Sequence, residues 1–386
     1  MGLARQSSPV QGVTHFTYSI MQHPGQGTAS LGRDFEIKMI RAWSVAQQAE
    51  ILQKEGFYPD LIISHSGWGE SLLLRGVWPQ ARILHYQEYY YNTTGSDFDF
   101  DPEFRDQRGG IFRAISKNAS LLLSLQYGDW NVTPTFYQHS LLPDEYRRKC
   151  TVVHDGIDTV MCAPSSERSS SLEIRNLSVR LSGKYLVTYV SRSLEPIRGF
   201  HSFMRCLPRL FDRRDDIEVV IVGARLGTSY GARRQDGQSW LDALSLEIGL
   251  KNQSWSDRVH FTDQIPYHDF KTLMQRSDCH VYLTYPFVLS WSCLEAMSFG
   301  CPIVGSDTAP VREMISHREN GLLVNFFDPQ AIADSICLML DQRDEATRMG
   351  LRARETIIKK YKREISIDAY IRLIEDLLAH GNGLSS

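Results

Sequence analysis

The stretch VYLTYPFVLSWSCLEAMSFGCPIVGSD, from Val281 to Asp307, decides the fold of this chain. It reads as an apolar strand, a tight loop, a helix and a second apolar strand, which predicts a βαβ crossover in a parallel sheet. The spacing places Glu295 in the first turn of the helix. Because a helix N-terminus carries free backbone N–H groups and a partial positive charge, an anionic ligand is expected above the sheet.

Ser292 and Glu295 also allow a second interpretation. Their S-x-x-E spacing is that of a capping box, in which the two side chains satisfy backbone N–H groups at the start of a helix. Such a box would stabilise the helix end without any ligand. The spacing alone leaves the ligand site and the capping box both open.

The rest of the chain alternates strands with helices, the pattern of a helix-covered parallel sheet. Before residue 160 the predicted strands are VTHFTYSI, LIISH, ARILHY and TVVHDG, and the predicted helices are 35–55, 70–74 and 105–125. Residues 163–183 contain seven serines, which predicts a domain connection or an exposed excursion. The later strands are predicted at YLVTYVS, EVVIVG, RVHFT and GLLVNF, with a strongly helical stretch from about residue 351 to residue 380.

We therefore predict an α/β protein with two Rossmann-like parallel-sheet domains, over residues 1–160 and 161–361, that face each other across a ligand cleft. Ligands of such sheets bind at the carboxyl ends of strands. No repeat of short period interrupts this organisation.

Composition narrows the possible classes of function. The chain has 386 residues, 42% of them hydrophobic and 23% charged, with a net charge of -3, which disfavours a nucleic-acid partner. No apolar run reaches the roughly 18 residues of a membrane span, and residues 1–12 lack the apolar core of a signal peptide. A cytoplasmic protein without a transmembrane segment is expected, and peripheral membrane association stays open.

The sequence lacks the motifs that bind several classes of cofactor. Gly223 and Gly227 form G-x-x-x-G instead of the G-x-G-x-x-G of dinucleotide-binding folds, and no phosphate-loop or H-E-x-x-H motif is present. The seven scattered cysteines contain no C-x-x-C pair, so neither a disulfide framework nor a structural zinc site fits. We predict no tightly bound cofactor and no metal site.

The string SRSLEPIRGF places Arg192 and Arg198 in a loop after a strand, with Gly199 at the start of the next helix. Guanidinium groups pair bidentately with phosphate oxygens, and glycine lets the backbone approach a diphosphate. Taken alone, the two residues could equally be surface arginines in a loop. Because the Glu295 loop is expected at the same edge of the sheet, the two loops together predict an anion site.

In the first domain, Gly67, Trp68 and Gly69 follow the predicted strand that ends at His65, and the two glycines leave room for a ligand at the strand end. Glu88 and Tyr89 lie in the tyrosine-rich string YQEYYY, where another strand ends. Rings that stack on the C–H faces of a sugar, beside a carboxylate that accepts from its hydroxyls, would suit a carbohydrate. Structural packing explains the tyrosines equally well.

Seven strings between Asp60 and Tyr361 resemble glycosyltransferase family 4, in a bacterial branch with the TYPFVLSWSxLEAM loop: HSGWGES, YQEYYY, HDGID, LEPIRGFHSFMR, TYPFVLSWSCLEAM, GSDTAPVREMI and ENGLLV. The resemblance implies a GT-B fold and a retaining, metal-independent, hexosyltransferase-type enzyme. Such an enzyme moves a sugar from a nucleoside-diphosphate sugar, its co-substrate, to a hydroxyl of a carbohydrate or small-molecule acceptor. It also implies that a last helix, 362–386, packs back on the acceptor-side N-terminal domain, and it suggests polysaccharide biosynthesis by analogy.

Carried over by this resemblance, Arg192 and Arg198 hold the donor diphosphate and Glu295 receives the ribose hydroxyls. The catalytic candidates are these two arginines and Glu88. Further donor-binding residues are predicted at Gly199, Gln264 and Ile265, and at Leu289, Ser290 and Trp291, whose backbone amides would face the phosphate and the sugar. The acceptor-side residues are predicted at Gly67, Trp68 and Tyr89.

The chain departs from the family pattern at two places. Phe287 stands eight positions before Glu295, where the wider family usually has a second glutamate. The family's first strand and its Gly/Pro loop have no clear counterpart, although HPGQG at residues 23–27 could stand in for the loop, so an abbreviated N-terminal domain is expected. A nucleotide- or glycan-binding pseudoenzyme and a nucleotide-sugar hydrolase or epimerase therefore stay open as alternatives.

Overall fold

The computed structural model describes residues 10–20, 22–25, 29–104, 109–231, 234 and 236–380. These residues fold into two compact units. The first unit runs to His154 and resumes at Ala369, and the second unit runs from Asp155 to Asp368. Each unit is built on a parallel sheet, so the prediction of two parallel-sheet α/β domains is confirmed.

Four parallel strands form the sheet of the first unit, in chain order across the sheet. They are β1 (Leu61–His65), β2 (Arg82–Tyr86), β3 (Trp130–Thr133) and β4 (Cys150–Val152). The helices between Arg33 and Arg147 are α1 (Arg33–Lys54), α2 (Leu74–Val77), α3 (Asp97–Phe100), α4 (Gly109–Tyr127), α5 (Phe136–Ser140) and α6 (Asp144–Arg147).

Two of the apolar clusters in this unit pack helices against the sheet. Helix α1 buries Val45, Ala49 and Leu52 on one side, at helical spacing, and packs them in one cluster with Ile83 of β2. A second cluster joins the strand residues Leu84 and Val132 to Leu373 and Leu377 of the C-terminal helix. Residues from Ala369 onward therefore form part of the first unit.

The second unit contains a two-stranded antiparallel hairpin and a six-stranded parallel sheet. The hairpin is β5 (Ser171–Ile174) and β6 (Leu177–Arg180), and the sheet strands are β7 (Tyr185–Ser193), β8 (Ile217–Ala224), β9 (Val259–Thr262), β10 (Cys279–Tyr282), β11 (Ile303–Ser306) and β12 (Leu322–Val324). Their order across the sheet is β12-β11-β10-β7-β8-β9. The helices are α7 (Phe200–Phe211), α8 (Trp240–Glu247), α9 (Tyr267–Arg276), α10 (Trp291–Ser298), α11 (Ala309–Arg312), α12 (Pro329–Asp341) and α13 (Arg343–Lys360). The C-terminal helix α14 (Arg363–His380) begins in this unit and belongs to the first unit from Ala369 onward.

Strands β7 and β10 are neighbours in the middle of this sheet and run parallel, with Thr188 opposite His280. Strand β10 is buried throughout, and β7 is buried from Leu186 to Tyr189, as expected for a sheet covered on both faces. Because they run parallel, the loops that follow them leave the sheet at the same edge. The segment 192–199, called the arginine loop below, begins with Arg192 near the end of β7 and not in a loop as predicted, and it carries Arg198 after the strand. This segment and the loop before α10 are therefore neighbours.

Two predictions about the first half of the chain were wrong, and one strand was not predicted. VTHFTYSI is not a strand, since residues 13–20 pair with no strand among the described residues and are attached instead through Tyr18, which is buried and donates to Glu70 at 3.1 Å. The helix predicted at 70–74 is a turn, and α2 begins only at Leu74. The strand β3 was missed because Asn131 and Thr133 made it appear polar.

Hydrogen bonds explain how those polar residues are buried in β3. The Asn131 side chain accepts from Gln87 Nε2 at 2.9 Å and donates to the Lys149 carbonyl at 3.1 Å. Thr133 donates to the Gln87 carbonyl at 2.8 Å.

In the stretch 163–183, the predicted excursion contains the hairpin β5–β6, whose apolar residues join the core of the second unit. Residues 26 and 27 of HPGQG and residues 105–108 of the predicted α4 region lie outside the described residues.

The seven cysteines are all free and all buried. Burial raises the pKa of Cys279 and of Cys293 to about 12, so both thiols stay protonated at neutral pH. Among the described residues, no helix is both long and apolar enough to cross a membrane.

Gly350 of α13 packs directly on the backbone that follows α10. A Cβ at this position would lie 2.1 Å from the Gly300 carbonyl oxygen, and neither backbone can move aside cheaply. We expect Gly350→Ala to lower the free energy of unfolding by about 1–3 kcal/mol, measured by urea denaturation. Gly76→Ala is the matched control, because nothing lies within 4 Å of its added Cβ in α2. Equal stability of the two variants would contradict this packing.

Candidate functional site

Arg198 is the buried cation at the shared sheet edge. Its side chain is only 6% exposed, and its Nη1 donates to Thr284 Oγ1 at 3.0 Å and to the Val288 carbonyl at 2.8 Å. Both partners belong to the loop between β10 and α10. Within the described part of the chain, Nε and Nη2 of Arg198 have no protein acceptor, so these donors remain for a ligand.

Two aromatic rings flank the Arg198 guanidinium group. Its central carbon lies 5.3 Å from the centre of the Tyr230 ring and 5.4 Å from that of Phe287, within the range of cation–π attraction. The two rings are themselves 5.2 Å apart. The residue that replaces the expected glutamate is thus an apolar neighbour of the arginine.

Arg192 reaches the same tyrosine from the solvent side. It is exposed, and its Nη1 lies 3.4 Å from Tyr230 Oη. The structure therefore brings Arg192 and Arg198 together around one phenol ring, where sequence reasoning had predicted the arginines but not Tyr230. Neither arginine forms an ion pair with any described carboxylate.

Tyr230 is held by a buried carboxylate. Glu195 is fully buried and accepts from the backbone N–H groups of Ser229, Tyr230 and Gly231, at 2.8–3.3 Å. A carboxylate that accepts several backbone N–H groups is well satisfied despite its burial. Glu195 therefore ties the loop after β8 to the arginine loop.

The start of α10 corrects the capping-box interpretation. Ser290, not Ser292, is the N-cap, and its Oγ accepts from the Ser292 amide at 3.3 Å. Glu295 is the fifth residue of the helix, beyond its first turn, and makes no capping bond. Of the three amides predicted to face the ligand, that of Ser290 donates to Tyr282 Oη at 2.8 Å. In the described residues the amides of Leu289 and Trp291 have no protein acceptor.

Glu295 is instead paired with a tyrosine. Tyr267, at the start of α9, donates to Glu295 Oε1 at 2.9 Å, and its hydroxyl also lies 3.1 Å from Cys162 Sγ. Partial burial raises the pKa of Glu295, while the Tyr267 hydrogen bond opposes that shift. Glu295 is therefore a positioned carboxylate whose remaining oxygen can accept from a ligand hydroxyl.

The other predicted donor-site residues have roles within the protein. Gly199 has a φ of 71°, and a Cβ there would lie 2.3 Å from Leu283 Cβ, so packing alone requires glycine. The Gln264 side chain donates to the Arg192 carbonyl at 3.1 Å, while its own carbonyl accepts from Arg175. Ile265 packs against the core. The Trp291 indole is exposed and donates to Asp155 at 3.0 Å.

A separate group of predicted residues meets in the first unit, at the ends of β1 and β2. Glu88 Oε2 lies 3.3 Å from His65 Nε2, and the imidazole stacks on Trp68 with ring centres 4.7 Å apart. His65 Nδ1 accepts from the Gly67 amide at 3.1 Å, which leaves the ring proton on Nε2, facing Glu88. Glu88 and Trp68 are both exposed.

Tyr89 does not join that group. It is buried, and its hydroxyl donates to Asp97 Oδ1 at 2.7 Å. Burial raises the pKa of Tyr89 well above its usual range. The tyrosine therefore acts in packing, the alternative that the sequence had left open.

Among the described residues, no group of three or more histidine, cysteine, aspartate or glutamate side chains could hold a metal ion. Metal independence itself stays a prediction.

Two family models match this chain. Residues 1–162 match the "Glycosyl transferase family 4 group" and residues 172–356 match "Glycosyl transferases group 1". Two parallel-sheet domains with this pair of matches define a glycosyltransferase of the GT-B fold. The chain belongs to this family of glycosyltransferases, as the resemblance in its sequence predicted.

Curated relatives agree with this assignment. The chain is 25% identical over 316 residues to a D-inositol 3-phosphate glycosyltransferase of Corynebacterium efficiens, covering 79% of this chain and 69% of the relative. It is 27% identical over 214 residues to a GDP-mannose-dependent alpha-(1-6)-phosphatidylinositol monomannoside mannosyltransferase of Mycobacterium tuberculosis, covering 54% of this chain and 51% of that protein.

Solved structures share the fold. A sucrose-phosphate synthase from Thermosynechococcus elongatus matches with a TM-score of 0.67 at 18% identity, over 89% of this chain and 80% of the other. HepE of Anabaena in complex with UDP-glucose matches with a TM-score of 0.65 at 15% identity, over 86% and 82% of the two chains.

Sequence reasoning missed Glu195, Tyr230, Tyr267 and His65. Glu195 lies inside the quoted string SRSLEPIRGF, so its position after a strand was an available signal. Tyr230 and Tyr267 contact residues 28 or more positions away, and no local pattern marks such a contact.

The raised pKa of Glu295 leads to a pH prediction. Because the carboxylate becomes protonated at a higher pH than an ordinary glutamate, affinity for a nucleoside diphosphate should fall as the pH is lowered from neutral, before ordinary glutamates become protonated. Tyr267→Phe should move this fall to higher pH, since it removes the hydrogen bond that favours the charged form. Calorimetric titration of UDP, GDP and ADP at several pH values measures the effect.

Glu295→Gln is the control for that titration. The nucleotide's own protonation is common to both proteins, so only the difference between their pH profiles reports Glu295. Identical profiles, or a loss of melting temperature without a loss of affinity, would show that the carboxylate has only a structural role.

Proposed function

We propose that this protein is a retaining, metal-independent, hexosyltransferase-type glycosyltransferase that uses a nucleoside-diphosphate sugar. The observation that carries the proposal is the meeting of Arg192 and Arg198 at Tyr230, beside the start of α10. Two guanidinium groups and open amides at one sheet edge suit a diphosphate. Ligands of parallel α/β sheets bind at this edge.

The arginines would act on the leaving group. As the bond from the sugar to the diphosphate breaks, negative charge grows on the departing oxygens, and Nε and Nη2 of Arg198 are donors already fixed in place. A hydrogen bond to a charged group contributes about 1.5–3 kcal/mol, which corresponds to a rate factor of about 10 to 150 for each arginine. Two arginines therefore supply a substantial part of the catalysis.

Glu295 would hold the nucleoside part of the donor. Its carboxylate is oriented by Tyr267 and retains acceptor capacity for the ribose hydroxyls. The solved structures of HepE contain UDP or UDP-glucose, and the name of the mycobacterial relative specifies GDP-mannose. These names support a nucleoside diphosphate as the common ligand chemistry without fixing the base.

Retention of configuration requires the acceptor hydroxyl to attack the same face that the diphosphate leaves. The departing phosphate can take the acceptor proton, so no separate base is needed next to the donor. Glu88 and the stacked His65–Trp68 pair offer an exposed carboxylate and ring surface for a carbohydrate acceptor. Polysaccharide biosynthesis in the cytoplasm is the setting that we propose for this activity.

Arginine variants test the diphosphate site. We expect Arg192→Ala to lower kcat by about 10- to 150-fold, because an exposed cation that stabilises the leaving group is lost. Arg348→Ala is the matched control, since Arg348 is a similarly exposed arginine of the second unit, paired with Glu345 on α13. Turnover of a competent donor that is the same in both variants would contradict the proposal.

Product analysis tests the reaction class. NMR of the product should show a glycoside whose anomeric configuration equals that of the donor, with an unchanged rate in excess EDTA. An inverted product or a rate abolished by EDTA would refute retention or metal independence. Release of free sugar would indicate a hydrolase, and a thermal shift without turnover would indicate a binding protein.

A further inference from the structure

The loop after β8 carries the residue that touches both arginines. Tyr230 contributes its hydroxyl to Arg192 and its ring face to Arg198. One aromatic side chain is thus in contact with two cations that would otherwise repel each other. The ring is 45% exposed, so its place beside them is not enforced by core packing.

A fully buried charge sets the position of this tyrosine. Glu195 lies between the two arginines in sequence and accepts from three successive amides, those of Ser229, Tyr230 and Gly231. A Cβ at Gly231 would lie 3.1 Å from Glu195 Oε2, so the loop backbone lies close to the carboxylate. Burying a carboxylate is costly unless such hydrogen bonds satisfy it. The carboxylate and the loop therefore depend on each other.

A third contact reinforces the same link. The hydroxyl groups of Ser193 and Ser229 lie 2.6 Å apart and join the end of β7 to the loop. The loop after β8 is therefore attached to the arginine loop through the Glu195 carboxylate and through the hydroxyl pair of Ser193 and Ser229. Tyr230 is the side chain that this attachment presents to the guanidinium groups.

We propose that Tyr230 is a positioning residue for the two arginines and that the buried Glu195 carboxylate acts through it. The proposal rests on the function proposed above, in which the arginines bind the donor diphosphate. In this arrangement Tyr230 aligns the guanidinium groups before the ligand arrives. Part of the entropic cost of ordering Arg192 is then met in the free protein.

Two substitutions separate the contributions of the hydroxyl and of the ring. Tyr230→Phe removes only the contact to Arg192 and should weaken the affinity for a nucleoside diphosphate by about 2- to 5-fold. Tyr230→Leu also removes the cation–π contact and should weaken it by about 10-fold or more. The probes are UDP, GDP and ADP, titrated separately by calorimetry. Tyr58→Leu, at a tyrosine of the first unit that is 68% exposed, is the matched control and should bind as the wild type does.

A double-mutant cycle tests the role of Glu195. Glu195→Gln should weaken binding by a factor similar to that of Tyr230→Leu, yet change the affinity by less than about 2-fold when Tyr230 is already leucine. A merely structural role would lower the melting temperature and the fraction of binding-competent protein without changing the dissociation constant of the folded molecules. The calorimetric stoichiometry measures that fraction separately.

The outcomes distinguish this inference from the function on which it rests. If Arg198→Ala weakens binding but Tyr230→Leu binds as the wild type does, the inference is wrong and the diphosphate site stands. Tighter binding by Tyr230→Leu would also overturn it, because the ring would then be an obstacle that the ligand displaces. If wild-type protein binds none of the three nucleotides, the proposed function and this inference both fail.

Discussion

The bonds from Arg198 to Thr284 and to the Val288 carbonyl are the contacts on which the candidate site depends. A guanidinium group this deeply buried needs fixed partners, and it finds them on the neighbouring loop. Since β7 and β10 are adjacent and parallel, a single side chain can join the loops that follow them. These bonds therefore hold the start of α10 in a fixed position relative to the arginine loop. The amides of Leu289 and Trp291 are held in place with it.

Phe287 gives this site its electrostatic character. A carboxylate in its place could pair with Arg198, whereas the phenyl ring attracts the cation without cancelling its charge. The buried acid Glu195 directs its oxygens to backbone amides of the neighbouring loop. The positive charge of both arginines therefore remains available to a ligand, and its effect will weaken as salt concentration rises.

The sequence predicted the parts of the molecule that depend on local pattern. The arginine loop, α10 and the parallel strands of the second unit follow from apolar periodicity and from strings such as SRSLEPIRGF. Contacts between distant residues could not be predicted in this way, and Tyr267 with Glu295 is an example. Strand β3 was missed because side-chain hydrogen bonds from Gln87 make Asn131 compatible with burial, and these bonds are set by tertiary structure.

Because the seven cysteines are all buried, with exposed fractions of at most 9%, we expect their thiols to react only slowly with thiol reagents in the folded protein. A single cysteine placed on the surface would then be modified selectively, with no native thiol to remove first. Fluorophores or spin labels could be attached to either unit in an otherwise unaltered protein. Slow modification of the native thiols, in turn, would record how often each region of the core opens to solvent.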